Sequence, residues 1–125
     1  MRILIVEGDN SIRRLYKKEF SELGYEVCLA RTTSEALERI RAEHPAIVVL
    51  DFGVPVVDQL ESIKLMQSLD DRLQIVLNSD STSHPLAGMF DACVRKTSDL
   101  SDLKKTIEKL LASQAQKEVR YLTAS

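Results

Sequence analysis

Cysteine is scarce in this sequence of 125 residues, which contains only Cys28 and Cys93. The two share no CxxC spacing and have no histidine pair nearby, so the sequence carries neither a common zinc motif nor a disulfide framework. We expect both as reduced thiols buried in strands. His44 and His84 each precede a proline, which indicates a helix end and a loop rather than a phosphohistidine.

The sequence also lacks an excess of one charge and a long apolar run. With 17 basic and 19 acidic residues the formal net charge is -2, which indicates neither a nucleic-acid surface nor a membrane surface. The basic cluster of Arg13, Arg14, Lys17 and Lys18 is followed by acids, as is typical of a solvated helix face. The apolar run at residues 3–6 is too short for a signal peptide or a membrane span, so we expect a cytoplasmic protein.

The remaining composition is typical of one soluble globular domain. Hydrophobic residues make up 44% of the chain and charged residues 29%, which argues against disorder and allows a core without disulfides. A second folded domain has no room in this length. No internal repeat interrupts the chain, and no predicted strand is followed by a glycine-rich phosphate loop such as GxGxxG.

Short apolar strands alternate with amphipathic helices along the chain. Apolar runs predict five strands, at residues 3–6, 27–30, 47–51, 73–77 and 92–95. The run at 47–50 is apolar throughout and mostly β-branched, so we expect it to be buried on both faces of a parallel sheet. The intervening helices must then cover both faces, which predicts a doubly wound five-stranded α/β fold.

Helical spacing places four helices between and after these strands. The first ends at Gly24, the second runs from a capping box at residues 32–35 to near Pro45, and the third begins near Asp58. Residues 78–88 are polar and weakly periodic, so the helix expected before the fifth strand is short or absent. The predicted core residues are, helix by helix, Ile12, Leu15, Tyr16, Phe20 and Leu23; Ala36, Leu37 and Ile40; Leu60, Ile63 and Met66; and Leu100, Leu103, Ile107, Leu110 and Leu111.

The domain is predicted to span residues 1–111, followed by a segment at 112–125. This segment continues a weak helical pattern through Ala115, Val119 and Leu122. The pattern fits an extension of the last helix into a homodimer or partner contact, and it fits a flexible tail equally well.

Chemically active residue types follow four of the predicted strands. Glu7, Asp51, Ser79 and Lys96 each lie at or just past the end of an apolar run. The carboxyl ends of parallel strands meet at one edge of a sheet, where loops form a crevice, so these four side chains are expected to converge there. Each residue taken alone could equally be a turn, cap or pairing residue.

Together these positions resemble the receiver domain of bacterial two-component response regulators, the CheY-like fold. The resemblance covers about residues 1–111. Its most specific parts are residues 3–9 with Ile12 and Arg13, residues 48–51 with Pro55 and Asp58, and residues 94–96.

The resemblance implies that Asp51 accepts a phosphoryl group from a histidine kinase or a phosphotransfer protein, giving an acyl phosphate. Lys96 would offset the phosphoryl charge, and Ser79 would hydrogen-bond the phosphoryl oxygen and move on switching. Mg²⁺ would be held by Glu7, Asp51 and the backbone carbonyl of Gly53. Beyond self-phosphorylation and self-dephosphorylation, no enzymatic activity is expected.

This chain departs from the family pattern in the metal site. The family usually has two adjacent acids after the first strand, whereas this chain has Glu7 and Gly8. We therefore expect weakened or absent Mg²⁺ binding, with water or Asp9 as the substitute ligand. Further departures lie after Asp58, after Lys96 and at the usual switching aromatic, where this chain has Gln59, Thr97 and Cys93.

Two functions therefore stay open. The first is a phosphoacceptor signalling domain, and the second is a pseudo-receiver that binds partners without phosphorylation. In both, output is expected to reach a downstream protein through the fifth strand and the last helix. A third hypothesis, small-ligand binding on a flavodoxin-like sheet, has no supporting motif.

Overall fold

The computed structural model describes residues 1–51, 56–80 and 86–124, with side chains except at residues 56–58, 87 and 117–124. The predicted strands and helices are present, and the strand ends lie within two residues of the predicted positions. In chain order they are β1 (Arg2–Val6), α1 (Asn10–Glu22), β2 (Glu26–Ala30), α2 (Thr33–Glu43), β3 (Ile47–Leu50), α3 (Val56–Leu69), β4 (Gln74–Ser79), a 3₁₀ turn (Ala87–Met89), β5 (Ala92–Arg95) and α4 (Ser101–Ala124).

The strands form one parallel sheet in the order β2-β1-β3-β4-β5. This order confirms the predicted doubly wound five-stranded fold. β3 lies in the centre of the sheet and is completely buried, as its uniformly apolar sequence predicted. The carboxyl ends of β1, β3, β4 and β5 therefore lie side by side at one edge.

Side chains alternate between the two faces of each strand and build two separate cores. On the α1/α4 face, Ile5, Val49 and Val76 pack with aromatic residues of α1 and leucines of α4. On the α2/α3 face, Val48 and Leu50 pack with apolar residues of α2 and α3. The same alternation determines on which face of the sheet the residue after each strand lies.

Helix α1 buries a narrower stripe than predicted. Tyr16 and Phe20 lie one turn apart and are buried, whereas Leu15 is 42% exposed and Leu23 is 53% exposed. Leu15 precedes Tyr16 by one residue and is rotated by about 100° around the helix axis. Leu23 is the C-cap residue, where the chain turns into Gly24 with a φ of 93°.

Other predicted core residues are only half-buried. In α3, Gln59 is buried and its neighbour Leu60 is only half-buried. Cys93 is half-buried because β5 is an edge strand, with β4 as its one neighbour in the sheet. The half-buried residues among those predicted to be buried are Ile12, Leu37, Leu60, Cys93 and Leu110.

The segment between β4 and β5 contains one 3₁₀ turn, Ala87–Met89, among its described residues, in agreement with the short or absent helix predicted there. Helix α4 continues to Ala124, so residues 112–124 are helical. Gln114 Nε2 donates a hydrogen bond to the carbonyl of Arg72 and ties this part of α4 to the turn before β4. In the parts of the chain that the structure describes, no helix has the length and apolar character to cross a membrane.

Candidate functional site

Backbone hydrogen bonds extend the sheet by one residue beyond three of its strands. The N–H of Glu7 donates to Ala30 O at 3.0 Å, the N–H of Asp51 donates to Val6 O at 3.1 Å, and the N–H of Lys96 donates to Ser79 O at 2.7 Å. Glu7, Asp51 and Lys96 are therefore held by the rigid sheet rather than by mobile loops.

The three charged side chains meet at this edge. Lys96 Nζ lies 2.9 Å from Glu7 Oε2 and 2.6 Å from Asp51 Oδ2. The side chain of Glu7 is only 5% exposed, that of Lys96 is 18% exposed and that of Asp51 is 27% exposed. The sequence predicted that these residues converge. In the structure one ammonium contacts two carboxylates, of which that of Asp51 is the more accessible.

Burial and ion pairing act against each other in this trio. Burial alone would lower the pKa of Lys96, but its hydrogen bonds to Asp51 and Glu7 outweigh burial and raise that pKa. Burial raises the pKa of Glu7, and the hydrogen bond from Lys96 offsets only part of that rise. Lys96 is therefore a firmly protonated cation at neutral pH.

The loop between β1 and α1 orients Glu7. The N–H of Asp9 donates to Glu7 Oε1 at 3.1 Å, while Asp9 Oδ1 accepts from the N–H of Ile12 at 2.9 Å and caps α1. Arg13 donates to the backbone carbonyl of Glu7 at 2.8 Å and to the side chain of Asn10. Asp9, predicted as a substitute metal ligand, thus has its carboxylate at the helix N-terminus in this structure.

Gly8 leaves open space beside the trio. A Cβ atom built on Gly8 would meet only the carbonyl of Arg31, at 3.9 Å, which is ordinary van der Waals contact. Sterics therefore do not require glycine here, because a Cβ atom has room. Gly53, whose carbonyl was predicted to bind the metal, lies outside the described residues.

The donor set at this edge fits Mg²⁺ in number and kind. Mg²⁺ prefers oxygen ligands and commonly takes one or two carboxylates while keeping several waters. Glu7 and Asp51 supply two carboxylates, although Lys96 now binds one oxygen of each. Among the described residues, no group of three or more acids, histidines or cysteines is close enough to hold a metal ion.

Two polar residues, Asn78 and Ser79, lie at the end of β4. Ser79 is the one predicted for the site from the sequence, and strand alternation places Asn78 on the α1/α4 face that Asp51 and Lys96 also join. Asn78 is also the residue that pairs with Val94, two positions before Lys96. Counting by twos from Val76 would have found it in the sequence.

Comparisons with known proteins agree with this fold. Residues 3–108 match the model of the response regulator receiver domain. The regulatory protein AtoC of Escherichia coli is 30% identical in an alignment of 128 positions, gaps included, that covers 97% of this chain and 28% of AtoC. The response regulator MprA of Mycobacterium avium is 37% identical over 91 residues, which cover 71% of this chain and 40% of MprA. The chain thus spans less than half the length of either relative.

Solved structures show the same architecture. The response regulator TrrA of Thermotoga maritima, in complex with Mg²⁺ and BeF, has a TM-score of 0.77 and 29% identity, covering 87% of this chain and 97% of that chain. TrrA in complex with the histidine kinase ThkA has a TM-score of 0.76 and 31% identity, covering 88% of this chain and 97% of that chain. A CheY-like receiver domain protein of Methanospirillum hungatei has a TM-score of 0.83 and 26% identity, covering 93% of this chain and 97% of that chain.

Proposed function

Because this chain belongs to the response regulator receiver domain family, we propose that it accepts a phosphoryl group on Asp51 from a histidine kinase or a phosphotransfer protein. The observation that carries the proposal is the Lys96 ammonium, 2.6 Å from Asp51 Oδ2 at the carboxyl edge of the sheet. The complex of the similar protein TrrA with the kinase ThkA supports this kind of partner. The chain would thereby act in a two-component phosphorelay.

The proposed chemistry is nucleophilic attack by a carboxylate. An oxygen of Asp51 attacks the phosphorus of a phosphohistidine, and the new P–O bond forms as the P–N bond breaks. The electron pair of the P–N bond stays on the ring nitrogen, and the donor leaves as a neutral imidazole because its other ring nitrogen already carries a proton. A carboxylate and a phosphoryl group are both negative, so their approach requires positive charge fixed in advance. Lys96 supplies that charge, and the exposed part of Asp51 gives the donor access.

Mg²⁺ is the proposed cofactor, and Glu7 and Asp51 are the described residues that would hold it. When bound, Mg²⁺ neutralises charge on the phosphoryl oxygens. The TrrA structure with Mg²⁺ and BeF supports this choice of ion. Because Gly8 has no carboxylate, we propose weaker binding than at a site with a third acid. Apart from phosphorylating and dephosphorylating itself, the domain would turn over no substrate.

Gly8 is also the observation that favours a second candidate function, that of a pseudo-receiver. Lys96 already pairs with both acids, so the trio is held together without a metal ion. In this alternative the chain binds protein partners whether or not Asp51 is modified. In either case we propose the face formed by β5 and α4 as the contact with a downstream protein, and the helical segment 112–124 as the contact of a homodimer.

Intact-protein mass spectrometry after incubation with acetyl phosphate, with and without Mg²⁺, tests the first function. We expect a single phosphoryl adduct that requires Mg²⁺ and is absent from Asp51→Asn. The matched control is Asp71→Asn, because Asp71 is an exposed acid that lies outside the site. The absence of an adduct, under conditions that fully modify TrrA, would leave the pseudo-receiver as the function of this chain.

The variant Gly8→Asp tests the metal part of the proposal. A Cβ atom at residue 8 has room, and the new carboxylate would add a negative charge next to Glu7 at the proposed Mg²⁺ site. We expect half-maximal modification at about a tenfold lower Mg²⁺ concentration, from about 1 to 2 kcal/mol of added attraction. The control Gly8→Asn has the same size without the charge. An equal gain in both variants would contradict the electrostatic explanation.

A further inference from the structure

Arg13 differs from the other basic residues of α1 in what its side chain binds. The other three members of the basic cluster are exposed, whereas the guanidinium of Arg13 lies against the loop between β1 and α1. Its Nη1 donates to the backbone carbonyl of Glu7 at 2.8 Å and lies 3.5 Å from the carbonyl oxygen of Gly8, and its Nη2 donates to Asn10 Oδ1. The solvated helix face predicted for the whole cluster therefore describes only its other members.

The hydrogen bonds that Arg13 makes to described residues all go to uncharged oxygen atoms. The groove beside it, of about 700 Å³, contains Glu35, but that carboxylate accepts hydrogen bonds from the backbone N–H and Nη2 of Arg31. A surface ion pair therefore does not explain where Arg13 lies. A guanidinium presents its donors in a rigid planar fork, which suits it to holding several acceptors of one loop at once.

The two carbonyls next to Arg13 belong to the peptide units on either side of Gly8. Because peptide units are planar, only φ and ψ of Gly8 rotate one of these units against the other. Glycine has the widest range of φ and ψ, and a Cβ atom at Gly8 would meet nothing closer than the carbonyl of Arg31, at 3.9 Å. Arg13 thus holds both sides of the most flexible link in this loop.

The second of these peptide units also holds the side chain of Glu7. Its carbonyl belongs to Gly8 and its N–H belongs to Asp9, which donates to Glu7 Oε1 at 3.1 Å. In a trans peptide the C=O and the N–H point in opposite directions, so a cation beside the carbonyl directs the N–H towards the carboxylate. The other oxygen, Glu7 Oε2, is bound by Lys96 at 2.9 Å. One of the two hydrogen bonds that orient this carboxylate therefore depends on Arg13.

We propose that Arg13 is a positioning residue that acts through the peptide unit between Gly8 and Asp9 and holds the carboxylate of Glu7 in place for Mg²⁺. The inference rests on the proposed function for its ligand, Mg²⁺. Groups that orient a metal-binding side chain typically contribute about 10- to 100-fold to metal affinity. In a loop with glycine at residue 8, this support replaces rigidity that the backbone itself does not provide.

The sign of the effect separates positioning from plain charge. Arg13 is a cation near the proposed metal site, so its charge alone repels Mg²⁺. Removing that charge without any loss of positioning would strengthen Mg²⁺ binding. Removing the support of Glu7 weakens it, and the two explanations therefore predict opposite results for the same variant.

The first test measures Mg²⁺ binding without phosphorylation. Mg²⁺ is titrated into the wild type, Arg13→Gln and the control Arg14→Gln, and binding is followed by NMR through the backbone amide signals of Glu7 and Asp51. We expect Arg13→Gln to raise the half-saturating Mg²⁺ concentration about tenfold. Arg14→Gln removes the same charge from an exposed neighbour and should leave that concentration unchanged or slightly lower. Stronger binding by Arg13→Gln, equal binding by all three proteins or no binding by the wild type would overturn the proposal.

The amide proton of Asp9 reports the positioning in the absence of metal. A hydrogen bond to a carboxylate moves an amide proton signal downfield, so the Asp9 signal should move upfield in Arg13→Gln and stay in place in Arg14→Gln. The dispersion of the remaining amide signals shows that the variant is folded. An unchanged Asp9 signal in folded Arg13→Gln would overturn the proposal, because the peptide unit would then keep its orientation without Arg13.

A phosphorylation arm separates this inference from the proposed function. Wild type and Arg13→Gln are incubated with acetyl phosphate over a range of Mg²⁺ concentrations, and the adduct is measured by mass. If the wild type forms an adduct and Arg13→Gln needs no more Mg²⁺ to do so, the proposed function stands and the role of Arg13 is overturned. If no adduct forms while Arg13→Gln weakens Mg²⁺ binding and moves the Asp9 signal, the role of Arg13 holds and the proposed function fails.

Discussion

Replacing Lys96 with methionine should destabilise the fold by about 3 kcal/mol at neutral pH. Its ammonium contacts two carboxylates at 2.9 and 2.6 Å, and near a protein surface each such charge pair attracts by about 4 kcal/mol. The desolvation of a largely buried ammonium cancels several kcal/mol of that attraction, about 5 kcal/mol here. The remainder lies at the lower limit expected for removing one partner of a buried ion pair, since Asp51 and Lys96 are partly exposed.

The loss of stability caused by Lys96→Met should depend on pH, and the direction of that dependence follows from the pKa shifts. Lys96 has a pKa raised above its ordinary value of 10.5, so its stabilisation is fully present below pH 10.5 and is lost only as pH rises through the raised value. Glu7 has a pKa raised above 4.5, so its contribution is present below pH 4.5 and is lost as pH rises through its folded pKa. Without Lys96 the charge of Glu7 is left unpaired at pH 7 and removed by protonation in acid. The destabilisation should therefore shrink towards pH 4.5.

Urea and thermal unfolding followed by circular dichroism measure both effects, with an expected decrease in Tm of about 10 °C at pH 7 for a chain of this length. Lys104→Met is the matched control, because Lys104 pairs with one carboxylate, that of Glu19, both side chains are more exposed than Lys96, and the loss should be about 1 kcal/mol. The double variant Glu7→Gln, Lys96→Met should be more stable than Lys96→Met alone. The reasoning is refuted if Lys96→Met costs no more than Lys104→Met, or if its cost is unchanged at pH 4.5.

Two further predictions concern the loop before α1 and the thiols. Asp9→Ala removes the side chain that caps the N–H of Ile12 and should cost about 1 kcal/mol in urea unfolding, whereas Asp9→Asn should keep most of the capping; equal losses would argue against the cap. Cys28 is buried, and burial raises its pKa to about 11. At pH 8 a thiol reagent should therefore label the half-buried Cys93 first and label Cys28 only on unfolding. Equal labelling rates of the two thiols in native protein would contradict this order.

Much of the fold could be predicted because its signals are local. The apolar run at residues 47–50 identified the central strand, and spacing with capping signals placed the ends of α1 and α2 and the start of α3 within two residues, whereas the sequence left the end of α4 open. The exposure of side chains was predicted less well, as Leu15 and Leu23 show. Helical spacing predicts a broad apolar stripe on a helix, and packing against the sheet determines how much of that stripe is buried. Two large aromatic rings, Tyr16 and Phe20, make up the buried part here.

The candidate site likewise contains residues that the sequence identified and contacts that it did not predict. Its charged members followed from residue types at strand ends, since Glu7 and Asp51 come directly after an apolar run and Lys96 lies two residues after Val94. At the end of β4 the sequence offers two polar residues, Asn78 and Ser79. Strand alternation puts them on opposite faces of the sheet, with Asn78 on the face of Val76.

The order of elements, the buried central strand and the charged residues at the strand ends could be read from the sequence, because they depend on periodicities within a few neighbouring residues. The contact of one ammonium with two carboxylates, 89 and 45 residues away in the chain, required the folded structure. The same holds for the hydrogen bond from Asn78 to Tyr16, at a separation of 62 residues. Such contacts depend on how strands align and how helices pack on them, which is set by the whole core at once and by no local pattern.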